Sequence, residues 1–128
     1  MDGLNAAGAD VIELGVVPTP VTYFAAQHLA CHSAVMVTGS HNPGDQNGLK
    51  MVVAGTTLTG EEIQGLRRAV EAGRFEAGAG SRRSADVLDA YVARIAGEIR
   101  LARPMRIALD CGNGVAGVVA PRLFRELG

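Results

Sequence analysis

Tryptophan is missing from this chain, and aromatic residues make up only 4% of its 128 positions. Seventeen glycines and so few rings fit an α/β protein with many tight turns. Cysteine is scarce. Cys31 and Cys111 stand in unlike contexts without metal-ligand spacing, which argues against a disulfide framework or a zinc site and for two free thiols in a reducing compartment. No charge of one sign prevails. Twelve Lys and Arg oppose thirteen Asp and Glu for a formal charge of -1, and the basic residues are spread along helix faces, so nothing points to a nucleic-acid or membrane surface. Long apolar runs are absent too: none approaches the roughly 20 residues a membrane helix needs, and no basic stretch and apolar segment lead to a small-residue cleavage site. The expectation is a soluble, cytoplasmic protein.

What is present reads as alternating strands and helices. Val11-Ile12-Glu13-Leu14 is a short apolar run ended by Gly15, as in a buried parallel strand. Thr19 before Pro20 predicts an N-cap with proline at the first helical position, and Val21, Phe24, Ala25, His28 and Leu29 recur at helical spacing. A second strand is expected after Ser33, running to Thr38, and a third from Leu49 to Ala54, ended by Gly55. Thr59 and Glu62 have capping-box spacing, with Ile63, Leu66 and Val70 as the buried stripe of a helix that Gly73 closes. Residues 73–83 carry Gly, Ala, Ser and Arg without periodicity and predict a loop. Ser84 is placed to cap a helix bearing Leu88, Tyr91, Val92, Ile95 and Ile99 on one face. Met105, Ile107 and Leu109 then alternate as in a strand, and a glycine-rich turn and a helix from about Pro121 complete the pattern. The fold class expected is α/β, a mixed or mostly parallel sheet flanked by helices, with a domain boundary near Arg103.

The most informative stretch is Thr38-Gly39-Ser40-His41-Asn42-Pro43, directly after the apolar run Ala34-Val35-Met36-Val37. It sets a serine hydroxyl in a polar turn at the end of a strand, where phosphate chemistry in open α/β sheets tends to sit. Gly39 lets the backbone approach a ligand, and Asn42 before Pro43 stops the strand from continuing. Such a loop can hold the equatorial oxygens of a phosphoryl group through the amides of Gly39, Ser40 and His41. Lys50, on the strand leaving the loop, could point back at Ser40, and partial desolvation would suit it to shuttle a hydroxyl proton. The plainer readings are a turn serine capping local backbone, a turn histidine bonded to a neighbour and a surface lysine. A hydrolase nucleophile elbow would need Gly-x-Ser-x-Gly, and position 42 is Asn; Asp45 is the nearest acid to the loop.

The hexapeptide, with Asn47-Gly48-Leu49-Lys50 close behind, resembles the active-site loop of the α-D-phosphohexomutases, in particular the phosphomannomutase/phosphoglucomutase group. The resemblance extends through Gly15-Val16-Val17-Pro18-Thr19-Pro20 and Asp110-Cys111-Gly112-Asn113-Gly114 over nearly the whole chain. It implies that Ser40 is the phosphoserine, that His41 lines the same loop and that Lys50 acts in general acid/base catalysis. It further implies interconversion of hexose 1-phosphate and hexose 6-phosphate through a bisphosphorylated sugar. Mg²⁺ would be bound through the phosphate on Ser40 and through an Asp-Gly-Asp-Gly-Asp loop that these residues do not contain.

Residues 1–102 are then the later part of the family's first domain and 103–128 the start of its second, so the chain is expected to be a fragment. Alone it should lack turnover, its partners being the hexose phosphate and the remaining domains. A competing reading rests on Gly112-Asn113-Gly114-Val115-Ala116-Gly117, a G-x-G-x-x-G match between an expected strand and an expected helix, which would make the chain a non-catalytic phosphate- or dinucleotide-binding module. A close helix-strand turn accounts for the same glycines.

Overall fold

The computed structural model describes residues 1–128. In chain order the elements are α1 (Asp2–Ala6), β1 (Val11–Glu13), α2 (Thr19–His28), β2 (Ala34–Thr38), β3 (Gly48–Val53), β4 (Thr56–Thr57), α3 (Gly60–Glu71), β5 (Arg82–Ser84), α4 (Leu88–Glu98), a 3-10 turn (Val115–Val118) and α5 (Ala120–Leu127). The strands form two groups: β1 pairs with β5 in parallel, and β2, β3 and β4 form an antiparallel meander. The architecture is α/β with both strand senses, as expected.

Small side chains let α2 pack closely. Val21, Thr22, Ala25 and Ala26 are its buried residues, and Val21 and Ala25 join Val17 and Val87 in a core onto which Phe24, Met36, Leu88 and Tyr91 fold. Phe24 meets Tyr91 of α4 edge to face at 5.4 Å. Val21 and Val92 are the fully buried large side chains, each worth about 1.5–3 kcal/mol. Helix α4 thus sits on α2, and α5 sits on α4, where Arg122 pairs with Asp89. No helix is long and apolar enough to cross a membrane.

The β2–β3 pair is what carries the serine loop. Its register sets Thr38 opposite Gly48 and Met36 opposite Lys50. Directly opposed residues share a face, so Met36, Thr38, Gly48 and Lys50 lie on the side covered by α2, while Val35, Val37, Leu49 and Val53 stand exposed on the other. Ala54 and Gly55 both have positive φ (49° and 82°), a two-residue hairpin turn that leads into β4, a strand the sequence pattern does not announce.

Five local expectations need correction. Thr19 is the first helical residue and Pro18 the N-cap, with no side-chain cap bond. Ser84 belongs to β5; the amide of Leu88 instead donates to Asp86 Oδ1 at 2.9 Å. The loop expected over 73–83 contains the start of β5, whose Arg-Arg-Ser sequence has no apolar face and whose pairing is made by backbone register and by Arg82 Nη2 donating to Glu13 Oε1 at 2.6 Å. The capping box of α3 forms, with Thr59 N donating to Glu62 Oε2 at 2.7 Å, yet Ile63, Leu66 and Val70 are 43%, 46% and 61% exposed and do not make a buried stripe. Residues 105–110, finally, form no strand: alternation supplies two faces but no neighbouring backbone pairs with them.

Candidate functional site

Residues 39–47 connect β2 to β3 by two successive turns. Asn42 N donates to Gly39 O at 2.8 Å and Gln46 N to Pro43 O at 2.9 Å. Gly48, which opens β3, is packed so that a Cβ there would meet Thr38 O at 3.0 Å, and one on Gly39 would meet Gln46 O at 3.4 Å. Glycine is what lets the two ends of the loop come together.

Ser40 occupies the second place of the first turn with φ 49°, a left-handed conformation uncommon outside glycine. It is exposed, and its hydroxyl makes no hydrogen bond within the chain. The plainer reading of a serine that caps local backbone therefore does not describe it. Its amide donates to Thr38 Oγ1 at 3.1 Å. This corrects the expectation that three loop amides are available to a ligand, because Ser40 N–H is occupied, while those of Gly39 and His41 find no acceptor in the chain. His41 is exposed beside Ser40 and bonds to no neighbour.

Lys50 is the chain's only lysine among twelve basic residues, a signal the sequence pattern already carried. Arginine does not release its proton in proteins, whereas lysine can. It lies on the same sheet face as Thr38, two pairs further along the ladder, and lines an open cavity of ≈ 390 Å³ with Tyr23, Leu49, Met51, Thr57, Leu58 and Ile63. The residue is exposed, so these 128 residues do not supply the desolvation expected for it. Ser40 and His41 thus come together in the turn, and Lys50 stands on the returning strand. No group of three or more His, Cys, Asp or Glu side chains could hold a metal ion, so the residues present do not make a magnesium site.

The glycine-rich stretch at 112–117 fares differently. Gly112 N donates to Asp110 Oδ1 at 2.7 Å, and the turn leads into the 3-10 turn rather than opening an α-helix. With no strand before it and no helix directly after it, the context a dinucleotide fingerprint requires is not met.

A family model described as phosphoglucomutase/phosphomannomutase, alpha/beta/alpha domain I matches residues 1–77. The chain belongs to the phosphoglucomutase/phosphomannomutase family. It is 50% identical over 128 residues to a phosphomannomutase/phosphoglucomutase of Pseudomonas aeruginosa PAO1, covering 100% of this chain and 28% of that protein. It is 47% identical to a phosphoglucomutase of Neisseria meningitidis serogroup B, covering 98% and 28%. A crystal structure of a phosphoglucomutase/phosphomannomutase family protein from Burkholderia thailandensis superposes with a TM-score of 0.91 at 49% identity, over 99% of this chain and 30% of that one. The chain thus spans under a third of the length of the curated relatives it matches.

Proposed function

We propose that this chain carries the phosphoserine segment of a phosphohexomutase that interconverts hexose 1-phosphate and hexose 6-phosphate, with mannose or glucose as the sugar. One observation carries the reading: Ser40 presents a free hydroxyl from an open left-handed turn, flanked by two amides without acceptors. Phosphoryl transfer asks mainly for positioning and for stabilisation of charge. In the phosphorylated enzyme a sugar hydroxyl attacks the phosphorus on Ser40, the bond from phosphorus to Ser40 Oγ breaks, and Lys50 relays the proton of the sugar hydroxyl to the departing Ser40 Oγ, which leaves as a hydroxyl. Ser40 Oγ then attacks the other phosphoryl group of the bisphosphorylated sugar, the bond from that phosphorus to the sugar oxygen breaks, and Lys50 relays the Ser40 hydroxyl proton to the freed sugar oxygen. Gly39 and His41 amides would hold the equatorial oxygens, with the His41 ring on the same rim.

The names of the relatives, which mention phosphomannose and phosphoglucose chemistry, support the substrate class. Magnesium, implied by the family likeness, would take an oxygen of the phosphate on Ser40, and a hard oxygen-ligated cation suits that group. Its carboxylate ligands are not among these residues. We assign residues 1–102 to the first domain and 103–128 to the opening of the second, since α4 packs back on α2 beyond the matched segment. The activity is assigned to the cytoplasm, consistent with two free thiols.

The test is intact mass of the protein encoded by the complete reading frame, followed by turnover. One covalent phosphate is expected in the parent protein and none in Ser40→Ala, with turnover lost alongside it. An unchanged phosphate load in Ser40→Ala would overturn the assignment.

A further inference from the structure

We propose that Thr38 is a positioning residue for Ser40, acting through the hydrogen bond its Oγ1 accepts from Ser40 N–H; this rests on the reading of Ser40 as the phosphoryl carrier. Thr38 is the last residue of β2, half-buried and fixed by its pairing with Gly48. Ser40 is two residues further on, where the strand can no longer hold the backbone, yet it keeps φ 49°. A left-handed serine has to be held by something other than its own preference, and the 3.1 Å bond to Thr38 Oγ1 is the side-chain contact that does so.

The bond has a second effect. It occupies Ser40 N–H, so the loop donors left without an acceptor in the chain are those of Gly39 and His41, the residues on either side of Ser40. A phosphoryl group on Oγ would then meet two amides with no competing partner. Losing Thr38 Oγ1 frees the Ser40 amide and lets the turn sample other conformations, which misplaces the reacting oxygen more than it weakens sugar binding.

The experiment compares Thr38→Val, which keeps the shape and removes the acceptor, with Thr38→Ser, which keeps the acceptor, in the protein encoded by the complete reading frame. Thr38→Val should lower kcat about tenfold, the size expected for one lost hydrogen bond, with KM for hexose phosphate within about twofold. Thr38→Ser should restore kcat. Site-resolved hydrogen exchange on the unmodified protein should show the Ser40 amide exchanging more slowly than those of Gly39 and His41. Parent-like kcat in Thr38→Val, equal impairment of both variants, or a change confined to KM would overturn the proposal. If Thr38→Val does not fold, the exchange measurement decides, and equal rates for the three amides would refute it. Full activity in Ser40→Ala would instead refute the underlying phosphoserine reading, whatever Thr38 does.

Discussion

Lys50 can be tested on the property that separates it from the eleven arginines, the capacity to give up a proton. If it serves as acid and base, Lys50→Arg keeps the charge and loses the function. Turnover should fall about 10²- to 10⁴-fold, the usual worth of a general acid or base, while intact mass still finds phosphate on Ser40. Near-parent turnover in Lys50→Arg would assign the residue to charge alone. The motif and the single lysine are both legible from the letters of the chain. The left-handed φ of Ser40 is not, because it depends on a turn closed from Asn42 N to Gly39 O and on the bond to Thr38.

Among the elements, the approach of the two segments that lead into the parallel β1–β5 pair is the most exacting. Gly78 and Gly80 lie directly on residues 7–9: a Cβ on Gly78 would stand 2.6 Å from Gly8 Cα, and one on Gly80 would stand 2.5 Å from the Ala9 carbonyl carbon. Backbone cannot swing aside as a side chain can. Gly80→Ala should therefore part the two segments and cost about 4 kcal/mol or more, at the far end of single-substitution effects, seen as a lower urea midpoint. Gly97→Ala, in the last turn of α4 with nothing within 4 Å of the added methyl, should gain about 0.4–1 kcal/mol on the same curve by narrowing the unfolded chain's freedom. Helices α2, α3 and α4 were readable because their spacing and the α3 cap are local. Strand β5 was not, because Arg82-Arg83-Ser84 acquires its structure only from β1 beside it.

Acid should weaken the whole molecule at two places. Asp10 Oδ1 accepts from both Ser81 Oγ (2.6 Å) and Ser81 N (2.7 Å), and these bonds hold its carboxyl below the ordinary 3.8. Glu62 is held below 4.5 by the bonds it accepts from the Thr59 amide and hydroxyl. A folded-state value lowered in this way adds stability that is complete above the unfolded-state value and is lost as pH falls through the lowered one. Thermal midpoints measured from about pH 6 to about pH 2.5 should therefore hold level with respect to these groups above about pH 5 and drop below it. Asp10→Asn should flatten that acid limb. An acid limb of unchanged steepness in Asp10→Asn would count against the ladder from Asp10 to Ser81 as the acid-sensitive joint.

By itself the sequence determined what depends on near neighbours: the serine turn after an apolar strand, the box from Thr59 to Glu62, and the helical faces of α2 and α4. Rotamers, caps and turn preferences act over a few residues and are written in order along the chain. Tertiary structure alone decided that β4 and β5 form and that 105–110 does not, which face Lys50 takes, and which amides of the loop remain open, because a strand is a relation between two backbones and a free donor is one that no distant acceptor reaches. Residues 105–110 make the point from the other side: their alternation is complete, and without a paired neighbour they are not a strand.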